Sequence, residues 1–135
     1  MNTTRALQWL TIACGIAVFL WMSVEDTQTW PVVVLGGSVS LIAVVHWSQR
    51  FFMRTPLPSK GGIALIGLLG GLTGLGTALI TALLMLIKNA WHLHPFPDFP
   101  PLLMGAILTR APWWGVAGVL IGLGIGVISL WTKKT

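Results

Sequence analysis

The side chains able to do chemistry are few, and most sit in one short stretch. In Trp91–Phe99 (WHLHPFPDF), His92 and His94 flank Leu93, and Asp98 follows four residues after His94. Two imidazoles and a carboxylate can ligate zinc or another divalent ion, or form a protonation switch at an interface. A His-x-His pair among prolines fixes no ligand geometry, and no further ligand stands nearby. His92, His94 and Asp98 are therefore weak metal candidates, and we expect no cofactor. The plainer reading is a contact loop for a partner, presenting Trp91, His92, His94, Phe96, Asp98 and Phe99.

Elsewhere the signals are thinner. His46 ends an apolar run, where a histidine can ligate haem or a pigment. A second axial ligand is missing at that depth, because His92 and His94 fall at the opposite face, roughly 30 Å away. Thr73, Thr77 and Thr81 recur every four residues and make one polar stripe. Such hydroxyls can line a narrow water path, but they more often bond to their own helix's carbonyls or glue neighbouring helices. The only cysteine, Cys14, lies in an apolar run and makes no internal disulfide. No Ser/His/Asp or Cys/His constellation serves nucleophilic chemistry, so the chain does not read as an enzyme.

The elements that must carry these residues are membrane spans. Of 135 residues, 55% are hydrophobic and only 8% charged, against about 25% charged in soluble domains. Gly61–Ile87 runs without one charge and as a helix is roughly 40 Å long, enough to cross the roughly 30 Å hydrocarbon core with tilt. Four spans are expected, at about 6–23, 30–47, 62–87 and 113–131, in one all-α transmembrane domain covering 1–135. The first has no small-x-small cleavage site after it and reads as an uncleaved helix. Pro31 suits the first turn of the second. Ser48–Lys60 is a basic linker with Pro56 and Pro58. Lys88–Pro112 is the one long connection; its first half holds Pro95, Pro97, Pro100 and Pro101 and must be extended or turning. Its second half, Leu102–Arg110, reads as a short interfacial or re-entrant helix, with Arg110 near its favourable C-terminal end. No acidic or basic residue falls in the middle of any of these spans, and no span has an interior proline, which argues against coupled transport.

Tryptophans and charges give the spans an orientation. All eight tryptophans fall near an expected helix end, as in aromatic belts. Arg5, Arg50, Arg54, Lys60, Lys133 and Lys134 share one side. Lys88, Arg110 and all three acids, Glu25, Asp26 and Asp98, lie on the other. The basic excess assigns the first side to the cytoplasm, so a multi-pass protein of the cell membrane with both termini inside is expected. The net charge of +5 then needs no nucleic acid to explain it.

The strongest pattern is glycine spacing. Gly118, Gly122 and Gly126 form a tandem GxxxGxxxG on the fourth span, and Gly67/Gly71 and Gly70/Gly74 form two overlapping pairs on the third. Four-residue spacing places them on one helix face, where backbones can approach. These faces, together with the missing chemistry, predict a non-enzymatic accessory, assembly or structural membrane protein. Its partners are the lipid bilayer and either other membrane subunits or itself. Two alternatives stay open: a small channel or transporter using the threonine stripe, and a pigment-, haem- or metal-binding subunit of an electron-transfer complex.

Overall fold

Long apolar runs leave a backbone in lipid no partner but itself, so they close into helices. The computed structural model describes residues 3–51, 59–92 and 95–132. It holds α1 (Thr3–Ser23), α2 (Thr29–Phe51), α3 (Ser59–His92), α4 (Pro101–Leu108) and α5 (Ala111–Thr132). The chain is all-helical across the described residues. Four segments are long and apolar enough to cross a membrane: Arg5–Ser23, Thr29–Arg50, Gly61–His92 and Pro101–Thr132. Arg54, Pro56 and Pro58 of the basic linker, His94, and the tail lysines Lys133 and Lys134 lie outside the described residues.

α3 is the centre. It packs most extensively on α5, then on α2, and α4 also lies against it, while α1 packs mainly on α2. The main spans therefore stand in a row, α1–α2–α3–α5, rather than around a closed core. Most of the surface is left apolar and exposed, including Phe19, Leu79, Leu120 and Ile128, as lipid contact requires.

Glycine sets the α3–α5 contact. A Cβ on Gly70 would strike the Gly118 carbonyl, and one on Gly118 the Gly70 carbonyl. Gly74 meets the Trp114 carbonyl, and Gly122 the Ile66 carbonyl. Gly126 lies on Ile63, where an added Cβ would stand 3.2 Å from its Cα. Gly67 and Gly71 instead receive the side chains of Leu123 and Val119. The α2–α3 contact follows the same rule with hydroxyls added. Gly36 is covered by Thr81, Gly37 faces Thr77, and Gly76 admits Ser40, whose Oγ donates 2.9 Å to the Thr73 carbonyl across the interface.

The register continues beyond α5. Trp114 stands opposite Gly74, Gly118 opposite Gly70 and Gly126 opposite Ile63. At the far end, Phe99 stands opposite Asn89. Fifteen residues separate Phe99 from Trp114, and fifteen separate Asn89 from Gly74, a helical rise of about 22 Å. The chain covers that height only if α4 contributes to it, so α4 runs lengthwise along α3 rather than flat across its end. Its Ile107 is buried in one cluster with Ala78, Leu84 and Met85. α4 and α5 are thus two pieces of one antiparallel arm. They are joined at Thr109–Arg110 just ahead of Pro112, whose missing N–H interrupts the helical ladder.

Two features of the sequence reading change. α3 does not stop at Ile87 but runs to His92. Lys88 and Arg110, expected in connections, lie within the membrane-length segments Gly61–His92 and Pro101–Thr132.

Gly118→Ala drives a methyl group into a backbone carbonyl and is expected to cost about 1–3 kcal/mol despite alanine's better helix propensity. Gly124→Ala, where nothing lies within 4 Å, is expected to stay within about 0.5 kcal/mol of the parent. Equilibrium unfolding by SDS in mixed micelles separates the two.

Candidate functional site at the C-terminal end of α3

The last turns of α3 carry Lys88, Asn89 and His92, and each takes a different partner. Lys88 is fully buried. Its Nζ donates to the carbonyls of Val24 and Asp26, both at 2.8 Å, and of Trp21 at 3.5 Å. These groups belong to the last turn of α1 and the connection after it, where the regular helical ladder ends and the Trp21 and Val24 carbonyls otherwise accept only from the Val24 and Asp26 N–H groups. The same ammonium stands 4.2 Å from the Trp21 ring centroid and 5.8 Å from that of Phe99, within cation–π range. All three ammonium protons thus have acceptors, and a positive charge rests against the negative end of a helix dipole.

Asn89 holds the chain that returns from α3. Its Nδ2 donates 2.7 Å to the Phe99 carbonyl, and its Oδ1 accepts 2.9 Å from the Phe99 N–H. This side chain satisfies both polar groups of a backbone unit that has no regular partner. The Phe99 ring is then carried wholly into the core, tilted against Trp21 with centroids 6.1 Å apart. One helical turn on, His92 Nδ1 and the Asp98 carboxylate lie 2.5 Å apart. Three side chains at one helix end therefore pin the first connection and the segment before α4.

The residues expected as a contact loop separate into two groups. Trp91 and His92 are on the helix rather than in a loop. Trp91 is 65% exposed and Phe96 85%, so both present rings outward. Phe99 is buried and has no surface for a partner, because Asn89 turns its backbone and the Lys88–Trp21 layer takes its ring. His94 lies outside the described residues. Of the weak metal set, His92 and Asp98 are joined to each other, and no cluster of three His, Cys, Asp or Glu occurs among the described residues. His46 is exposed near the end of α2.

The threonine stripe is spent on packing. Thr73 donates to the Leu69 carbonyl at 2.9 Å and Thr77 to the Thr73 carbonyl at 2.8 Å. Thr81 is buried beneath Gly36, with no hydrogen-bond partner for its hydroxyl among the described residues. Sequence reasoning missed Lys88, Asn89 and Trp21. The signal was there: Lys88–His92 contains no glycine or proline, so nothing in it ends a helix.

A second feature lies one level down. α2 and α5 both lean on α3 without closing on each other, leaving a groove of about 480 Å³. Leu41 and Val44 form one wall and Trp114, Ala117 and Ile121 the other, over a floor of Gly70, Thr73, Gly74 and Thr77. It is apolar throughout except for hydroxyls already bonded within the protein.

No protein-family model matches the sequence, no curated protein matches it significantly, and no solved structure matches the chain significantly.

Lys88→Met keeps an unbranched side chain one atom shorter and removes its charge and donors. It leaves the Asp26 carbonyl without a donor and those of Trp21 and Val24 with a single backbone N–H each, with an expected loss of about 1–3 kcal/mol. Limited proteolysis should then cut the Glu25–Gln28 connection faster than in the parent, while Gly118→Ala leaves that cut rate nearer its starting value.

Proposed function

We propose that this integral membrane protein is a non-enzymatic accessory, assembly or structural subunit that docks on another membrane protein or on itself. The observation that carries the reading is the open groove between α2 and α5. A row of spans with an unfilled, small-floored, apolar cleft offers a seat for a further helix, since close approach over small residues is how helices associate in lipid. The rigid α3 end, with Trp91 and Phe96 outward, adds a second contact surface.

The orientation we propose is multi-pass in the cell membrane with both termini cytoplasmic. Lys88 is sealed in the interior and Arg110 lies nine residues inside its span, whereas Arg5 and Arg50 stand at the outer ends of theirs, so neither Lys88 nor Arg110 counts as a loop charge against the basic excess of Arg5, Arg50, Arg54, Lys60, Lys133 and Lys134.

Gentle-detergent purification from the native membrane, with mass spectrometry of the eluate, tests this. A defined stoichiometric partner or a homo-oligomer is the expected result. A lone monomer that keeps its α3–α5 contact would reject the reading.

A further inference from the structure

Among the described residues, Arg110 is an exposed arginine nine residues inside a membrane-length segment, whereas Arg5 and Arg50 stand at the very ends of theirs. Its depth follows from contacts. Trp114, one turn further on, meets Gly74, and the register of the arm puts Arg110 level with Ala78. At that level α2 crosses α3, through Gly36 on Thr81 and Gly37 on Thr77. Arg110 is therefore level with a point seven or eight residues inside the Thr29 end of α2, about 11 Å along its axis. Apart from Thr109, the arm on either side of it is apolar: PLLMGAIL before and APWWGVAGVL after.

Its guanidinium has no hydrogen bond or ion pair among the described residues. No acid is near. Asp26 and Asp98 are at the level of Lys88 and Asn89, ten or so residues further along α3, and Glu25 adjoins Asp26 in sequence. An arginine at such depth carries a cost of about 2.5–3.5 kcal/mol even on the most lenient scale, and it is retained where a counter-charge meets it.

Position supplies the second half of the argument. The Trp114 N–H bonds the Arg110 carbonyl at 3.1 Å, so the two residues are successive turns of one stripe. That stripe continues through Trp114, Ala117, Ile121 and Ile125, the α5 wall of the groove. Arg110 thus precedes by one turn the first residue of that wall, just beyond the lining of the groove. We propose that the groove seats a single transmembrane helix of a different protein, with small or apolar residues on the Gly70/Thr73/Gly74 floor and one carboxylate paired to Arg110. A second copy of this chain does not fit, because no acid lies within any of its spans. The inference rests on the accessory-subunit reading and specifies its partner.

The test uses the full-length protein in phosphatidylcholine vesicles. The probe is a synthetic Leu/Ala transmembrane helix of about 22 residues bearing one Asp about eight residues from an end, with Asn and Leu versions as controls, and energy transfer as readout. The Asp helix is expected to associate at least tenfold more tightly than the Leu helix. Arg110→Leu should abolish that preference and Arg110→Lys should keep part of it. Ala117→Trp, which fills an exposed groove wall, should weaken binding without touching the charge. Equal association of the Asp and Leu helices overturns the proposal, as does indifference to Arg110→Leu or Ala117→Trp. Loss of the Asp preference when phosphatidylglycerol is added assigns Arg110 to lipid phosphate instead and also overturns it. A native partner that still co-purifies with Arg110→Leu would sink this site while leaving the accessory reading intact. An Asp helix that binds while no native partner is found would do the reverse.

Discussion

Backbone-on-backbone contact between α3 and α5 is the constraint from which the rest of the architecture follows. Lipid tails are as apolar as leucine, so nothing like hydrophobic collapse drives two spans together, and association depends on close fit and on polar bonds. At Gly70, Gly74, Gly118 and Gly122 the fit is between main chains, with no side chain able to intervene. That contact fixes an antiparallel register over much of both helices. The register then dictates where every residue of the fourth arm must stand, including those of α4, which have few contacts of their own.

The polar end of α3 does complementary work. A row of spans has no enclosing core to hold its members in order, and α1 is the most loosely attached of them. Lys88 ties the end of α1 to α3 by three carbonyls and an aromatic face, and Asn89 ties the start of the arm by a single backbone unit. Close packing runs along α3 and α5 as far as Gly126 on Ile63, and charge-assisted bonding is added at the other end. The groove opens between α2 and α5 because α3 holds both and nothing draws them toward each other.

Much of this was legible in the sequence, because length and apolarity specify a span almost alone, and Gly70/Gly74 and Gly118/Gly122/Gly126 announce a close approach by their spacing. What was not legible depended on reading a charge as a boundary. Lys88 ends an apolar run, and a run that ends at a lysine looks like a helix leaving the membrane; here the helix continues and the lysine turns inward. Arg110, set between prolines, looks like the edge of a surface helix for the same reason. The difference lies in partners far away in the chain: carbonyls of residues 21–26 for Lys88 and the α3 register for Arg110. The contact loop suffered similarly. Phe99 has the composition of a surface aromatic beside prolines, and only the Asn89 side chain, ten residues earlier, determines that it faces the core.

The Lys88 bonds also impose an order on biosynthesis. When α1 and α2 have emerged and inserted, the Asp26 carbonyl has no donor and those of Trp21 and Val24 have only a local N–H, because the ammonium that serves all three is more than sixty residues downstream. The first hairpin is thus an unfinished object in the bilayer until the far end of α3 has crossed, and a nascent chain stalled before that point exposes an incomplete α1 terminus. A single side chain arriving late closes what was made first.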